Sequence, residues 1–266
     1  MRWWCGSSGS AHVAHLAPVV AGCLALCSPA HALVGDAAPA EWTMARPTVM
    51  VYVPSRGACS GVVLAQDLVL TAAHCATVSE FKTAGFVAGY IAGAPFRLAN
   101  VTEIAAHPKF DSDRTNDLAL LKLAKPLPTT FAPAFLSARP IEIGERLIVV
   151  GYGVAVQDDG KTADKARMAT LLVTGRTSGF VWLTDPAARR DDALFRGAPD
   201  DAPNGALGSC SGDSGAPAFF VRGGIPVLVG IVKGGYCGRV TIVVPLALFY
   251  DWLIDAARTL RSPLDP

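Results

Sequence analysis

Cys210-Ser211-Gly212-Asp213-Ser214-Gly215-Ala216-Pro217 is the stretch on which the reading of the whole chain turns. A serine hydroxyl is a poor nucleophile until a base takes its proton and N–H donors receive the charge that develops on the substrate. Gly212 and Gly215 flank the serine and permit a tight backbone, which turns the N–H groups of Gly212 and Ser214 toward one point. Ser214 is therefore the candidate nucleophile, and Gly212 and Ser214 are the candidate oxyanion donors.

A base and its orienting acid are sought next. Leu68-Val69-Leu70-Thr71-Ala72-Ala73-His74-Cys75 runs from a buried strand through small residues to a histidine. The small residues let a neighbour reach the imidazole, and Cys75 could anchor the turn to Cys59 across a hairpin. Alone, the pattern also fits a structural histidine beside a disulfide. Asn116-Asp117-Leu118-Ala119-Leu120-Leu121 sets an acid at the mouth of an apolar strand, where it is costly unless paired. A histidine N–H is a fitting partner; a turn residue is the plainer alternative.

Residues 1–32 read separately from the rest. Arg2 is their sole charge, His15 to Cys27 is mostly apolar, and Ser28-Pro29-Ala30-His31-Ala32 ends in Ala-x-Ala. This is the pattern of a secretory signal peptide, too short in its apolar run to span a membrane. Export by this signal makes the product secreted or periplasmic. Val20-Ala21-Gly22-Cys23 offers a competing cut, a lipoprotein box with Cys23 as the lipidated residue.

Cleavage after Ala32 removes Cys5, Cys23 and Cys27 from the 7 cysteines. Cys59, Cys75, Cys210 and Cys237 remain, an even set suited to two disulfides in an oxidising compartment. Only His74 and His107 remain of the 5 histidines, so neither a zinc site nor a cofactor is expected. His107, before Pro108, reads as structural. Net charge goes from +1 to 0, because the 23 basic residues lose Arg2 and then equal the 22 acidic ones. Charged residues make up 17% and apolar ones 51%, which excludes a disordered or nucleic-acid-binding chain. The pairs Asp158-Asp159, Asp191-Asp192 and Asp200-Asp201 lack the ligand spacing of a calcium loop and read as solvated turns.

Short apolar, β-branched runs fill the remainder: 48–53, 61–65, 68–71, 101–106, 118–123, 147–152, 168–173, 180–183, 217–221, 227–232 and 241–244. Their spacing fits a β-sandwich or a pair of barrels. Ala138 to Glu145 is a plausible crossing between halves; Gly160 to Ala166 and Asp191 to Gly208 read as polar loops. Leu246, Phe249, Tyr250, Leu253, Ile254, Ala257 and Leu260 then fall at helical spacing behind Pro245, which predicts one amphipathic helix packed on the body.

His74, Asp117 and Ser214, in that order and with these flanks, resemble the trypsin/chymotrypsin family of serine proteases. The resemblance covers nearly the whole chain from Leu33 onward. An α/β-hydrolase esterase would instead run serine, acid, histidine. The family fold implies an all-β protein of two six-stranded antiparallel β-barrels, about 33–139 and about 140–245. The active site would lie between them, followed by a C-terminal α-helix over 246–260. The family chemistry implies a serine endopeptidase acting on protein or peptide substrates, with no membrane span, and a monomer is expected. Ser214 would attack the scissile carbonyl, His74 would relay the proton, and Asp117 would hold the imidazole.

The resemblance further implies disulfides Cys59–Cys75 and Cys210–Cys237. Gly151-Tyr152-Gly153 matches the family's Gly-Trp-Gly segment. Leu33-Val34-Gly35-Asp36 resembles the family's free N-terminus, whose amine would pair with Asp213. Cleavage after Ala32 would create that amine without a propeptide.

Gly208 falls at the pocket floor, where a trypsin-like specificity would need Asp, and Gly235 and Thr241 fall on its walls. Small or medium apolar side chains are expected there rather than Lys or Arg, with an acidic preference the lesser reading. Lys233-Gly234-Gly235 replaces the family's Ser-Trp-Gly. Lys233 could pair with Asp117 or point to solvent. The reading from another class is an impaired homologue serving as a binding module.

Overall fold

The computed structural model describes residues 33–91, 94–157, 159, 165–187 and 206–264. The segment 1–32 expected to be a signal, with Cys23, and also Asp158, most of the loop 160–166 and both later acidic pairs lie outside the described residues.

The chain runs β1 (Ala38–Pro39), α1 (Trp42–Ala45), β2 (Thr48–Val53), β3 (Gly57–Ala65), β4 (Leu68–Thr71), α2 (Ala73–Ala76), α3 (Ser79–Ala84), β5 (Phe86–Ile91), β6 (Ala94–Ala106) and β7 (Ala119–Leu123). It continues with β8 (Phe135–Leu136), β9 (Arg146–Gly151), β10 (Arg167–Arg176), β11 (Val181–Thr184), β12 (Pro217–Arg222), β13 (Ile225–Tyr236), β14 (Val240–Pro245) and α4 (Tyr250–Thr259). Strands β2-β3-β4-β7-β6-β5 close into one antiparallel barrel. Strands β10-β11-β14-β13-β12-β9 form a second, closed by the β9–β10 pairing. The fold is thus the expected pair of six-stranded barrels with a C-terminal helix.

Alternation of side chains along each strand explains how the barrels pack. Val49, Val51 and Val53 of β2 fill the first barrel with Val69 and Leu121. Leu147, Val149, Val229 and Val243 fill the second. The opposite faces of β4 and β7 carry Leu68, Leu70 and Leu120, which with Leu118 just ahead of β7 meet Leu228, Ile231 and Val244 of the second barrel. Leu253, Ala256 and Ala257 of α4, with Leu260 just past its end, press onto this same cluster, so the helix seals the junction. The predicted helix 246–260 begins as a 3-10 turn, Leu246–Phe249, behind Pro245. Beyond its end, Ser262 donates to Asp67 Oδ1 (2.6 Å), and Lys122 Nζ donates to Asp67 Oδ2 (2.6 Å). Burial pushes the Asp67 carboxyl up, but Lys122 and Ser262 outweigh it and hold it below its usual range.

Several details depart from the sequence reading; the two-residue strands β1 and β8 were not anticipated. β5 was not anticipated, because Gly89 and Pro95 interrupt its hairpin with β6 and mask the strand pattern. The segment 33–39, placed with the first half, belongs to the second barrel. β1 pairs with β10, Val34 bridges Gly208, and Leu33 and Ala37 pack into the second core.

Candidate active site

Register between β4 and β7 sets the first half of the site. Thr71 pairs with Ala119, which brings Asp117, just ahead of β7, opposite the start of α2. The buried Ala72 and Ala73 let the two segments approach closely. His74 donates its backbone N–H to Asp117 Oδ1 (2.9 Å) and its Nδ1–H to Oδ2 (2.7 Å). The Asp117 side chain is 1% exposed, whereas the imidazole is 39% exposed and free to meet a substrate. A buried carboxylate with two charge-assisted donors is held firmly, and it orients the ring facing it.

Ser214 comes from the other barrel, in the turn before β12. The turn is drawn tight by Asp213 N–H to Cys210 O (3.1 Å) and Ala216 N–H to Asp213 O (2.9 Å). Gly215 has φ 83°, and a Cβ there would strike the Ser60 carbonyl oxygen, so glycine is required. Ser60 of β3 donates its N–H to Ser214 O (2.8 Å), and Cys75 Sγ lies 4.0 Å from that oxygen. The serine is thereby held against the turn that carries His74. Its own hydroxyl donates to the Lys233 carbonyl at 3.3 Å, a long contact.

Disulfides Cys59–Cys75 and Cys210–Cys237 are both formed and brace the two halves of the site. Cys59, His74 and Cys75 converge as a metal site might, but both sulfurs are consumed in the disulfide and offer no thiolate.

Asp213 is fully buried. Its Oδ1 accepts the Gly153 N–H and its Oδ2 the Cys210 N–H, each at 2.9 Å. Burial pushes its carboxyl up to about 7, with the two backbone donors opposing. A Cβ at Gly153 would overlap this carboxylate, which accounts for the Gly151-Tyr152-Gly153 motif. Leu33 is also fully buried, with φ 55°, in the core that holds Ala216.

The residues expected around the pocket come together. Gly235 pairs with Thr241 between β13 and β14, and Ser209 donates its N–H to Thr241 Oγ1 (2.9 Å). Gly208 is covered by Val34 on one side and Gly238 on the other. The Ser209 hydroxyl is buried and has no hydrogen-bond partner among the described residues. Of the courses foreseen for Lys233, the pairing with Asp117 is not formed among the described residues; the residue is half-buried and its Nζ lies 5.0 Å from the centre of the Phe180 ring, a cation–π contact.

Ser60 escaped the sequence reading. A serine after Cys59 carries no motif, and only the meeting of the barrels reveals its contacts. His107 is structural in its setting, edge-on to Phe249 and Trp252, and burial lowers its pKa.

Two barrels that set a histidine–carboxylate pair from one half against a glycine-flanked serine from the other define the double-barrel serine proteases as a class. The trypsin family's sequence profile matches residues 36–253. Human serine protease 56 is 31% identical over 87% of this chain and 40% of its own length. Rat vitamin K-dependent protein C is 31% identical over 68% of this chain and 41% of its own. Rat transmembrane protease serine 9 is 32% identical over 68% of this chain and 17% of its own. The chain belongs to the trypsin family. It spans well under half the length of these relatives, and among the described residues no helix is long and apolar enough to cross a membrane.

Proposed function

We propose that the protein is an exported serine endopeptidase that cleaves peptide bonds through an acyl-enzyme on Ser214. The paired hydrogen bonds from His74 to one buried carboxylate are the observation that carries this reading. With Nδ1–H given to Asp117, the lone pair of His74 lies on Nε2, ready to take the Ser214 proton. The hydroxyl leaves the Lys233 carbonyl to do so; long hydroxyl contacts in a free enzyme commonly tighten only with substrate bound. The N–H groups of Gly212 and Ser214 receive the oxyanion, and the protonated His74 then returns its proton to the leaving amine. Export fits the N-terminal signal pattern and the two disulfides.

A fluorophosphonate tests the assignment. It is expected to label Ser214 stoichiometrically in the wild type, with labelling at least ~10³-fold slower in His74→Ala, a loss typical of a missing general base. Equal labelling rates in the two would overturn the role of His74. A folded wild type that resists labelling would favour the binding-module reading.

Among the described residues, the four expected at the pocket, Gly208, Ser209, Gly235 and Thr241, carry no charge, and Gly238 lies against Gly208. A pocket of these residues suits a small side chain, and the Ser209 hydroxyl, without a partner among the described residues, can serve one polar atom. A peptide-library profile is expected to show small residues before the scissile bond, with Lys and Arg at least ~10-fold poorer, the cost of leaving a cation buried without a partner. Preference for Lys or Arg would refute this assignment of the pocket.

A further inference from the structure

We infer that Ser60 is a positioning residue for the oxyanion site, acting through Gly212; this rests on the endopeptidase reading above. Gly212 has φ 96° and, lacking a side chain, explores more backbone conformations than any other residue. Its N–H can receive an oxyanion only if something outside it fixes its direction. Two peptide planes meet at Gly212; the first is pinned by one hydrogen bond and the second by two. On one side, Val154 N–H donates to Ser211 O at 2.8 Å. In a trans peptide the N–H points opposite the C=O, so this bond aims the Gly212 N–H away from Val154. On the other side, the Ser60 hydroxyl donates to Gly212 O at 2.9 Å while Asp213 N–H donates to Cys210 O at 3.1 Å, so Ser60 is the one side chain from the first barrel that holds the following plane. That second plane leads directly to Asp213 and the Ser214 N–H, the other donor.

Ser60 is itself immobilised. It is fully buried; its Oγ accepts the Tyr152 N–H (2.9 Å), and its carbonyl accepts the Thr71 hydroxyl (2.7 Å). Its N–H already holds Ser214 O at 2.8 Å. One residue of the first barrel thus grips both oxyanion-bearing residues of the second, one through its backbone and the other through its side chain. The hydroxyl's one donor and one of its two acceptor sites are used, and neither goes to a reacting atom. Its effect on catalysis is therefore indirect, through the direction of two N–H groups.

Removing only the hydroxyl separates the two grips, because the backbone bond to Ser214 survives in Ser60→Ala. The expected result is kcat lowered roughly 10- to 50-fold on a peptide amide, short of the 10²–10³ lost when an oxyanion donor is deleted. KM should stay within about twofold, since the ground-state carbonyl uses these donors weakly. A peptide aldehyde, whose adduct places an oxygen in the same site, should lose affinity by the same factor as kcat, and the matching peptide acid should not. Ser60→Cys, with a weak S–H donor of similar size, should fall between. It carries the test if the alanine variant does not fold. Unchanged kcat in a folded variant would overturn the inference, as would equal losses for aldehyde and acid, which would mark a merely structural role. A wild type that neither cleaves peptides nor reacts with a fluorophosphonate would instead defeat the endopeptidase reading.

Discussion

Asp117→Asn is expected to lower kcat about 10⁴-fold at neutral pH with KM little changed, the loss that follows when a catalytic histidine is held in the wrong tautomer. Two donors of His74 converge on this carboxylate, the backbone N–H at 2.9 Å and Nδ1–H at 2.7 Å. A carboxylate accepts both; an amide offers one oxygen and one NH2. If the oxygen stays with the backbone N–H, the NH2 faces Nδ1, which must then accept. The ring proton moves to Nε2, and the base for Ser214 is gone. If the oxygen turns to Nδ1, the NH2 faces the backbone N–H of His74 in a buried site, where water cannot separate the two donors. The disulfide at Cys75, next to His74, resists the backbone shift that would relieve the clash. The carboxylate's charge is also unneutralised by Lys233, whose ammonium lies over Phe180, so it remains available to the imidazolium. Steady-state kinetics of the purified variant checks this; a loss below about tenfold would assign Asp117 to support of the turn alone.

How far the sequence could disclose these parts depended on how local their physics is. The Ser214 turn was legible because glycine, a positive φ and a tight backbone are properties of eight consecutive residues. Barrel strands that are unbroken apolar, β-branched runs, such as β2 and β4, were legible for the same reason. β5 was not, since Gly89 breaks its pattern and its partner strands supply the order. The pairing of Asp117 with His74 needed the β4–β7 register, and the family resemblance stood in for that register. Lys233 illustrates the limit. Its departure from the expected serine was plain, but its direction depends on Phe180, more than 50 positions away in the chain, which no local pattern announces. Ser60 was silent for a related reason: its hydroxyl matters only because two barrels meet there.

Release of the Leu33 amine is expected to raise kcat/KM by roughly 10²–10⁴-fold over a form that retains the preceding residues. The magnitude follows from the ~3–5 kcal/mol lost when a buried charge is left without its partner. Asp213 has no exposure, and two backbone donors do not offset its burial, so its carboxyl stands at about 7. An ionised Asp213 therefore needs a cation. Leu33, buried in the core that also holds Ala216, is where cleavage after Ala32 would create one. The pH dependence differs in sign between the two forms. In the uncleaved form the folded pKa, about 7, lies above the ordinary 3.8. Between those values the native state keeps a proton that the unfolded chain has lost, so stability falls as pH rises through this window, by a few kcal/mol. In the cleaved form an ammonium paired with Asp213 would favour the ionised carboxylate and reverse the slope: stability would be lost as pH falls and the carboxylate takes up its proton. At the alkaline end the pair's contribution fades as the amine deprotonates above its ordinary value near 8. Thermal midpoints of both forms from pH 4 to 9, with fluorophosphonate labelling rates, measure the difference. Matching slopes between pH 4 and 7, together with equal labelling, would exclude the Leu33–Asp213 pair. Asp213→Asn supplies the control: it should remove the pH slope from the uncleaved form and the activation from the cleaved one.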